Sequence, residues 1–135
     1  MMYMLDTNIC IYTIRQRPAS VLNKLYEKMH QGLCISSITL AELEHGVAAS
    51  SFPEQNAIAL RQFLTSIDVL HFDDEAATCY GSLRVDLKRN NQLIGPLDML
   101  IAAHALSQDM TLVTNNMREF VRVKGLKLDN WVAPF

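Results

Sequence analysis

The sequence contains few residues that interrupt helices and strands or that could form disulfides. Among its 135 residues are five glycines, four prolines and three cysteines, and no stretch rich in proline, glycine or serine divides it. We therefore expect neither a linker nor a disordered tail. A chain of this length can bury roughly two-thirds of its unfolded surface without disulfides. The sequence predicts a single domain over residues 1–135.

The cysteines show no pattern of pairing. Cys10, Cys34 and Cys79 are odd in number, far apart and set in apolar runs, as is typical of reduced core residues in a cytoplasmic protein. The basic leader of a signal peptide is missing, and Asp6 stands where such a leader would be apolar. No apolar run approaches the ~18 residues needed to cross a bilayer. We expect a cytoplasmic protein with no membrane association.

The chain also lacks an excess of positive charge. Twelve Lys and Arg residues against 14 Asp and Glu residues give a formal net charge of −2. A protein that holds nucleic acid simply by being basic is therefore not indicated. A nuclease remains compatible with this charge, because carboxylates that hold a metal add negative charge at the site. The basic side chains that we expect to contact a phosphate backbone are Arg84, Lys88, Arg89 and Arg118.

Short apolar runs alternate with helical patterns along the chain. The runs at residues 3–5, 33–35, 68–72, 111–114 and 125–128 predict strands, and the segments between them predict helices. This alternation predicts an α/β fold with a mostly parallel sheet of four to five short strands and helices on both faces. The carboxyl ends of the strands then share one edge, where ligands and chemistry collect.

Four acidic residues are expected at that edge. Asp6 ends the first strand, and Glu42 and Glu119 begin the helices that follow the second and fourth strands. Asp98 lies in the first turn of an almost wholly apolar helix, where the helix dipole favours a carboxylate. No basic residue stands near Asp98 in sequence to pair with it, so a purely structural role explains it poorly.

The other three acids each have a local structural alternative. Asp6 has the position of a helix cap. Glu42 follows Thr39 at the spacing of a capping box, and Glu119 has the same spacing from Asn116. Capping accounts for each acid singly, but it does not explain why four acids meet at one edge with no cation supplied.

A divalent cation would relieve the repulsion within such a cluster. All-oxygen ligands favour Mg²⁺ or Mn²⁺ over Zn²⁺, because no His or Cys has ligand spacing. The chemistry that suits such a site is metal-assisted hydrolysis of a phosphodiester. The histidines, which we interpret as structural residues, are His30, His45, His71 and His104.

Four segments, taken together, carry a resemblance to a known family. They are residues 4–8 (MLDTN), 36–43 (SSITLAEL) with Gly46, 95–98 (GPLD) with 101–105 (IAAHA), and 113–120 (VTNNMREF). In this order and at these separations they resemble the motifs of PIN-domain ribonucleases. More narrowly, residues 5 to about 131 are similar to VapC-type toxins of bacterial toxin–antitoxin modules.

The resemblance implies a PIN-like fold and an endoribonuclease that depends on Mg²⁺ or Mn²⁺. It implies a homodimer, inhibition by a VapB-type antitoxin whose C-terminal segment occupies the active-site groove, and a higher assembly with that antitoxin. The implied substrate is tRNA cut in the anticodon region, initiator tRNA among the candidates. Because similar members often have Asp at the fourth acidic position, the longer Glu119 side chain is expected to reach the metal directly or through water.

Site residues carried over from the resemblance fall into two groups. Asp6 and Asp98 are the expected metal ligands, and Glu42 and Glu119 complete the acidic site, directly or through water. The supporting residues are Thr7, Asn8, Thr114 and Asn116.

Three other interpretations remain open at this stage. A receiver domain of a signalling relay has an acidic Mg²⁺ pocket, but it needs a Lys after a later strand, and residues 114–116 are Thr-Asn-Asn. A phosphatase with an Asp-x-Asp-x-Thr nucleophile lacks its second Asp, because residues 6–8 are Asp-Thr-Asn. The third interpretation is a catalytically silent binding module on the same fold, and the four intact acids count against it.

Overall fold

Strands and helices alternate along the chain in the computed structural model, which describes residues 3–133. The strands are β1 (Tyr3–Leu5), β2 (Leu33–Ser36), β3 (Asp68–Leu70), β4 (Thr111–Val113) and β5 (Lys127–Asp129). The helices are α1 (Thr7–Ile14), α2 (Ala19–Lys28), α3 (Ser37–Ala48), α4 (Pro53–Leu64), α5 (Asp74–Arg89), α6 (Pro96–Ser107) and α7 (Met117–Phe120). A single 3₁₀ turn at Met29–Gln31 follows α2.

The five strands of the described region form one sheet in the order β3-β2-β1-β4-β5. Every neighbouring pair is parallel, with Tyr3 of β1 opposite Leu33 of β2 and Thr111 of β4. The expectation of a mostly parallel sheet of four to five strands is thus confirmed. The chain builds the sheet outward from β1 in one direction and then returns to its other side at β4. The point where the order reverses therefore lies between β1 and β4.

Successive residues of the central strands face opposite sides of the sheet. Met4 and Leu112 pack on one side, in a core that α5 and α6 complete. Leu5, Ile35 and Val113 pack on the other side, with apolar residues of α1, α2, α3 and α4. Because side chains alternate along a strand, two separate cores form and each covers one face. The expectation of helices on both faces is confirmed.

The C-terminal part of the described chain packs back onto the first strand. Trp131 is 2% exposed and its ring lies 5.8 Å from that of Tyr3. Its indole Nε1 donates a hydrogen bond of 3.0 Å to Asp129 Oδ2, so the polar atom of this buried ring is satisfied. The segment after β5 is thereby packed against β1.

The cysteines are free thiols, as expected. Cys10 and Cys34 are completely buried in the two cores, and Cys79 is half-buried on α5. Within residues 3–133, we find no helix with the length and apolar character that crossing a bilayer would require.

The strand order also separates this chain from a receiver domain. Receiver domains have the order 2-1-3-4-5, in which β3 lies beside β1. Here β4 lies beside β1, and β3 is two strands away. This topology rules out the receiver-like alternative.

Candidate active site

The reversal of strand order places two polar residues side by side. Asp6 directly follows β1 and Thr114 directly follows β4, and both are buried. The Asp6 amide donates to the Val113 carbonyl at 3.0 Å, so β1 and β4 remain joined up to the acid. In open α/β sheets the crevice at this point is the usual ligand site.

Asp6 is a helix cap, as its position indicated. Its burial also gives it the properties of a functional-site acid. Its Oδ1 accepts a hydrogen bond of 2.9 Å from the Ile9 amide at the start of α1. Burial raises the pKa of Asp6, and hydrogen bonds from the Thr114 side chain and the Ile9 backbone offset this only in part. A buried carboxylate with a raised pKa is poorly stabilised by the protein alone, as is common in functional sites.

Glu42 does not belong to a capping box, so that alternative is wrong. Helix α3 begins at Ser37, because Ser36 caps it by accepting the Ile38 amide at 3.1 Å. Thr39 therefore lies inside the helix. Glu42 Oε1 instead accepts a hydrogen bond of 2.7 Å from the Thr7 hydroxyl of α1. This contact orients Glu42 next to the residue that follows Asp6.

Asp98 lies in the first turn of α6, as its position before the apolar run indicated. Its pKa is raised to about 7, first by burial and then by a hydrogen bond with Glu119. The negative charges of Glu119, Glu42 and Asp6 raise it further, in that order. All four acids expected at the edge therefore lie close enough to influence one carboxyl group.

A glycine that the sequence reasoning gave no role borders this carboxylate. Gly95 precedes α6, and a Cβ built on it would lie 3.3 Å from Asp98 Oδ2. A methyl group there would be tighter than an ordinary van der Waals contact, so the Asp98 carboxylate would have to shift. The signal in the sequence is the glycine itself, three residues before the acid.

Glu119 is oriented by Asn116, although not through a capping box. The Asn116 side chain makes no hydrogen bond to the backbone of α7. The side-chain Nδ2 of Asn116 instead donates to Glu119 Oε2 at 2.9 Å. The backbone amide of Asn116 donates to the Thr114 hydroxyl, also at 2.9 Å. Thr114, Asn116 and Glu119 thus form a chain of contacts from the end of β4 to the acidic cluster.

No basic side chain of residues 3–133 forms an ion pair with this cluster. The ion pairs found among residues 3–133 are Lys24 with Glu27, Lys28 with Glu27, and Lys127 with Asp109. None of them includes Asp6, Glu42, Asp98 or Glu119. The donor set is all oxygen and carries an uncompensated negative charge, which fits Mg²⁺ or Mn²⁺.

The acids do not form a ready-made cage. Within residues 3–133, no three Asp, Glu, His or Cys side chains are grouped closely enough to ligate one ion together. This arrangement suits Mg²⁺, which keeps several waters and is usually bound through one or two carboxylates and substrate phosphates.

The remaining expected site residues have exposed side chains, although the Asn8 backbone amide makes a hydrogen bond to Asp6 that lowers the pKa of that acid. The side chains of Asn8 and of the four basic candidates Arg84, Lys88, Arg89 and Arg118 are exposed. Arg84 donates to the Tyr80 hydroxyl at 2.8 Å. Helices α5 and α6 pack along each other and are joined by residues 90–95, so the basic end of α5 lies where α6 begins.

The histidines divide into one buried residue and three exposed ones. His104 is 1% exposed and hydrogen-bonded to Ser36, and burial lowers its pKa. This agrees with a structural role. His30, His45 and His71 are exposed.

We expect the metal-free protein to lose stability between pH 5 and pH 8 because of Asp98. Its pKa is about 7 in the folded state against an ordinary value of 3.8, so the folded state keeps a proton that the unfolded state has lost. The stability that this proton contributes is complete below about pH 4 and is lost as the pH rises through 7. Thermal unfolding of wild type and Asp98→Asn, each at both pH values, measures the effect.

Between pH 5 and pH 8, the melting temperature of wild type should fall by about 3 °C or more relative to that of Asp98→Asn. Parallel pH profiles of the two proteins would contradict the raised pKa. Saturating Mg²⁺ should restore the stability of wild type at pH 8 but not that of the variant.

Comparisons with known proteins agree with this geometry. A family model described as PIN domain matches residues 3–126. The tRNA(fMet)-specific endonuclease VapC of Shigella flexneri is 48% identical over 130 residues, covering 96% of this chain and 97% of its own. Ribonuclease VapC2 of Haemophilus influenzae is 42% identical over 130 residues, covering 96% and 98%.

A solved structure of a related protein has the same fold. VapBC2 from Rickettsia felis, bound to a DNA fragment from its promoter, contains a chain that superposes with a TM-score of 0.93 at 43% identity. The match covers 98% of this chain and 100% of that one.

Proposed function

Since this chain belongs to the PIN-domain family, among the VapC ribonucleases, we propose that it is the toxin of a type II toxin–antitoxin module and a metal-dependent endoribonuclease. The observation that carries the proposal is the convergence of Asp6, Glu42, Asp98 and Glu119 at the reversal of strand order. No basic side chain of the described region pairs with them. Nothing observed favours a catalytically silent binding module.

In this proposal Asp6 and Asp98 hold Mg²⁺ or Mn²⁺, and Glu42 and Glu119 act on it directly or through water. The bound cation supplies two things: a lowered pKa for an attacking water, and stabilisation of the charge that builds on the phosphate and on the leaving oxygen. Two cations need not be invoked for either effect.

The protein's own contribution is to fix the carboxylates before RNA arrives. The Ile9 amide fixes one oxygen of Asp6. Thr7 and Asn116 fix one oxygen each of Glu42 and Glu119, and Glu119 is also hydrogen-bonded to Asp98. Contacts of this kind orient metal ligands and typically change affinity or activity by 10–100-fold when removed.

The substrate we propose is tRNA cut in the anticodon region, with initiator tRNA preferred. The support is the name of the Shigella relative, which acts on tRNA(fMet). Exposed Arg84, Lys88, Arg89 and Arg118 would contact the RNA backbone from the rim, because phosphate contacts position a nucleic acid without reading its sequence.

Incubating the purified protein with total tRNA, with and without Mn²⁺, and mapping the cut ends tests this assignment. We expect one dominant cut, in the anticodon region of initiator tRNA, that requires the metal. Cuts distributed over all tRNAs would overturn the substrate but leave the endoribonuclease activity standing. No cleavage of any RNA would overturn both.

A VapB-type antitoxin is the proposed partner, with its C-terminal segment in the active-site groove. A cavity of about 230 Å³ lies beside Glu42 and suits this role. Apolar side chains of α1, α3 and α4 line it, together with Arg15; they include Ile11, Ile14, Leu43, Val47 and Leu60. The Rickettsia relative was solved as VapBC2 bound to a DNA fragment from its promoter, which supports a VapB-type partner.

We also propose that the chain forms a homodimer and a higher assembly with the antitoxin. Large apolar side chains near the start of α6 and the end of α7 are exposed, as an interface would require. They are Leu93, Leu97 and Val121, and Arg122 ties the two segments together by donating to the Leu93 carbonyl at 3.1 Å.

Gly95→Ala should lower Mn²⁺-dependent cleavage by up to about 10-fold, because the new methyl group displaces the Asp98 carboxylate by a few tenths of an ångström. Gly81→Ala on α5 is the matched control. A Cβ there meets nothing within 4 Å, and Ala favours a helix interior by up to about 1 kcal/mol. Cleavage rates at saturating RNA measure the effect. Equal rates for Gly95→Ala and Gly81→Ala would show that the glycine has no part in placing Asp98.

A further inference from the structure

A buried hydrogen bond joins the two helices that carry Glu42 and Asp98. Ser36 Oγ, at the cap of α3, lies 2.8 Å from Nδ1 of His104 in α6. Ser36 is 0% exposed and His104 is 1% exposed. The proposed site uses neither residue, and the hydrogen bond satisfies a buried polar atom on each of them.

The hydrogen-bonded residue and the acid are separated by the same number of residues in each helix. Glu42 comes six residues after Ser36, and Asp98 comes six residues before His104. Six residues of α-helix span about 9 Å. The Ser36–His104 hydrogen bond joins the two spans at one end, and Glu42 and Asp98, which both belong to the acidic cluster, lie at their other ends. The two spans therefore run in opposite directions.

The hydrogen bond is held rigidly from three sides. Ser36 is fixed because it also accepts the Ile38 amide as the cap of α3. The edge of the His104 ring meets the Phe72 ring, with centroids 5.5 Å apart and planes at 77°. The Phe72 amide in turn donates to the Ser37 hydroxyl at 3.0 Å. The N-terminus of α3 and the His104 ring are thus both fixed by contacts with Phe72.

Between the two ends, no other hydrogen bond among residues 3–133 joins α3 to α6. Thr39 and Ile101 are the midpoints of the two six-residue spans, and both are completely buried. The Thr39 hydroxyl has no hydrogen-bond partner. Helix α6 is apolar nearly all round, and apolar contact is non-directional. Among the described residues, the Ser36–His104 hydrogen bond is therefore the directional contact between α3 and α6.

We propose that the Ser36–His104 hydrogen bond is a positioning element that sets the register of α6 against α3, and thereby the separation of Glu42 and Asp98 that a divalent cation requires. The inference rests on the proposed metal-dependent function. Neither residue touches the cation or the RNA, and both act through the helices that hold the acids.

Binding of Mn²⁺ to the full-length protein without RNA tests this inference. Titration is followed by electron paramagnetic resonance at pH 8, at a temperature where thermal unfolding curves show each variant to be folded. His104→Leu removes the hydrogen bond at similar volume. His104→Asn retains a nitrogen near the position of Nδ1. Thr39→Val is the matched control, because it lies in the same contact and loses a hydroxyl that has no partner.

We expect His104→Leu to bind Mn²⁺ about 10-fold more weakly, with His104→Asn and Thr39→Val within about twofold of wild type. Wild-type affinity in a folded His104→Leu would overturn the positioning role. An equal loss in Thr39→Val would also overturn it, because general disruption of the contact would then be the cause.

Two further variants keep the result interpretable. If His104→Leu does not fold, Ser36→Ala is used in its place. We expect the same weakening of Mn²⁺ binding in Ser36→Ala, and wild-type affinity in that variant would overturn the inference. Asp98→Asn separates this inference from the proposed function. If wild type fails to bind Mn²⁺, or Asp98→Asn binds it equally well, the metal site itself is wrong. If Asp98→Asn loses binding while His104→Leu does not, only the positioning role fails.

Discussion

Asp98→Asn should lower Mn²⁺-dependent RNA cleavage by roughly 10³-fold or more. Asn removes the charge that binds the cation while keeping the shape of the side chain, and the stabilisation a metal supplies amounts to several kcal/mol. Asp6→Asn should have an effect of the same order, because Asp6 is the second expected ligand. Single-turnover cleavage of tRNA by each purified variant measures the loss.

The loss of activity should not reflect a loss of fold. Removing one of four neighbouring negative charges relieves the repulsion that raises the pKa of Asp98, so the metal-free variant should be at least as stable as wild type at pH 8. Asp109→Asn is the matched control, since Asp109 is a surface acid paired with Lys127 at 3.0 Å. Its cleavage rate should equal that of wild type. Undiminished cleavage by both Asp98→Asn and Asp6→Asn would refute the assignment.

Expression of the wild-type chain alone should arrest bacterial growth. Cleavage of a tRNA needed for every initiation event would stop translation while leaving the cell intact. Co-expression of the cognate VapB-type antitoxin should restore growth, because the proposed groove beside Glu42 would then be filled. Growth curves after induction, with and without the antitoxin gene, measure the effect.

The active-site variant separates toxicity from the burden of expression. Asp6→Asn, produced at the same level, should be harmless without the antitoxin. Arrest by this variant would assign the toxicity to something other than RNA cleavage. Healthy growth under strong induction of the wild-type chain alone would count heavily against a toxin.

The sequence predicts where Asp6 and Asp98 lie in the fold, because their positions follow from local rules. An acid directly after a buried strand, and an acid in the first turn of an apolar helix before a parallel strand, are both at the carboxyl edge of the sheet whatever the strand order. The order itself depends on contacts between distant segments. Only the structure shows that β4 lies beside β1, which brings Thr114 next to Asp6.

The two capping boxes fail for a related reason. Thr39 and Glu42 have the required spacing, but Ser36 caps α3 and starts the helix about one turn earlier than a cap at Thr39 would. Glu42 is then satisfied by Thr7, which is 35 residues away in sequence. A local pattern cannot reveal that a tertiary partner competes for the same oxygen. The pairing of Ser36 with His104 across 68 residues is equally invisible in the sequence.

The chemistry of the cut ends tests the central claim most directly. In the proposed metal-dependent mechanism the nucleophile is a water whose pKa the bound cation lowers, and the ribose 2′-hydroxyl takes no part. The measurement is cleavage of a tRNA with a single 2′-deoxynucleotide at the cut site, in Mn²⁺ and in chelator. The account predicts undiminished cutting in Mn²⁺, none in chelator, and no cyclic phosphate on the natural substrate. Cutting in chelator, or 2′,3′-cyclic phosphate ends, would contradict it.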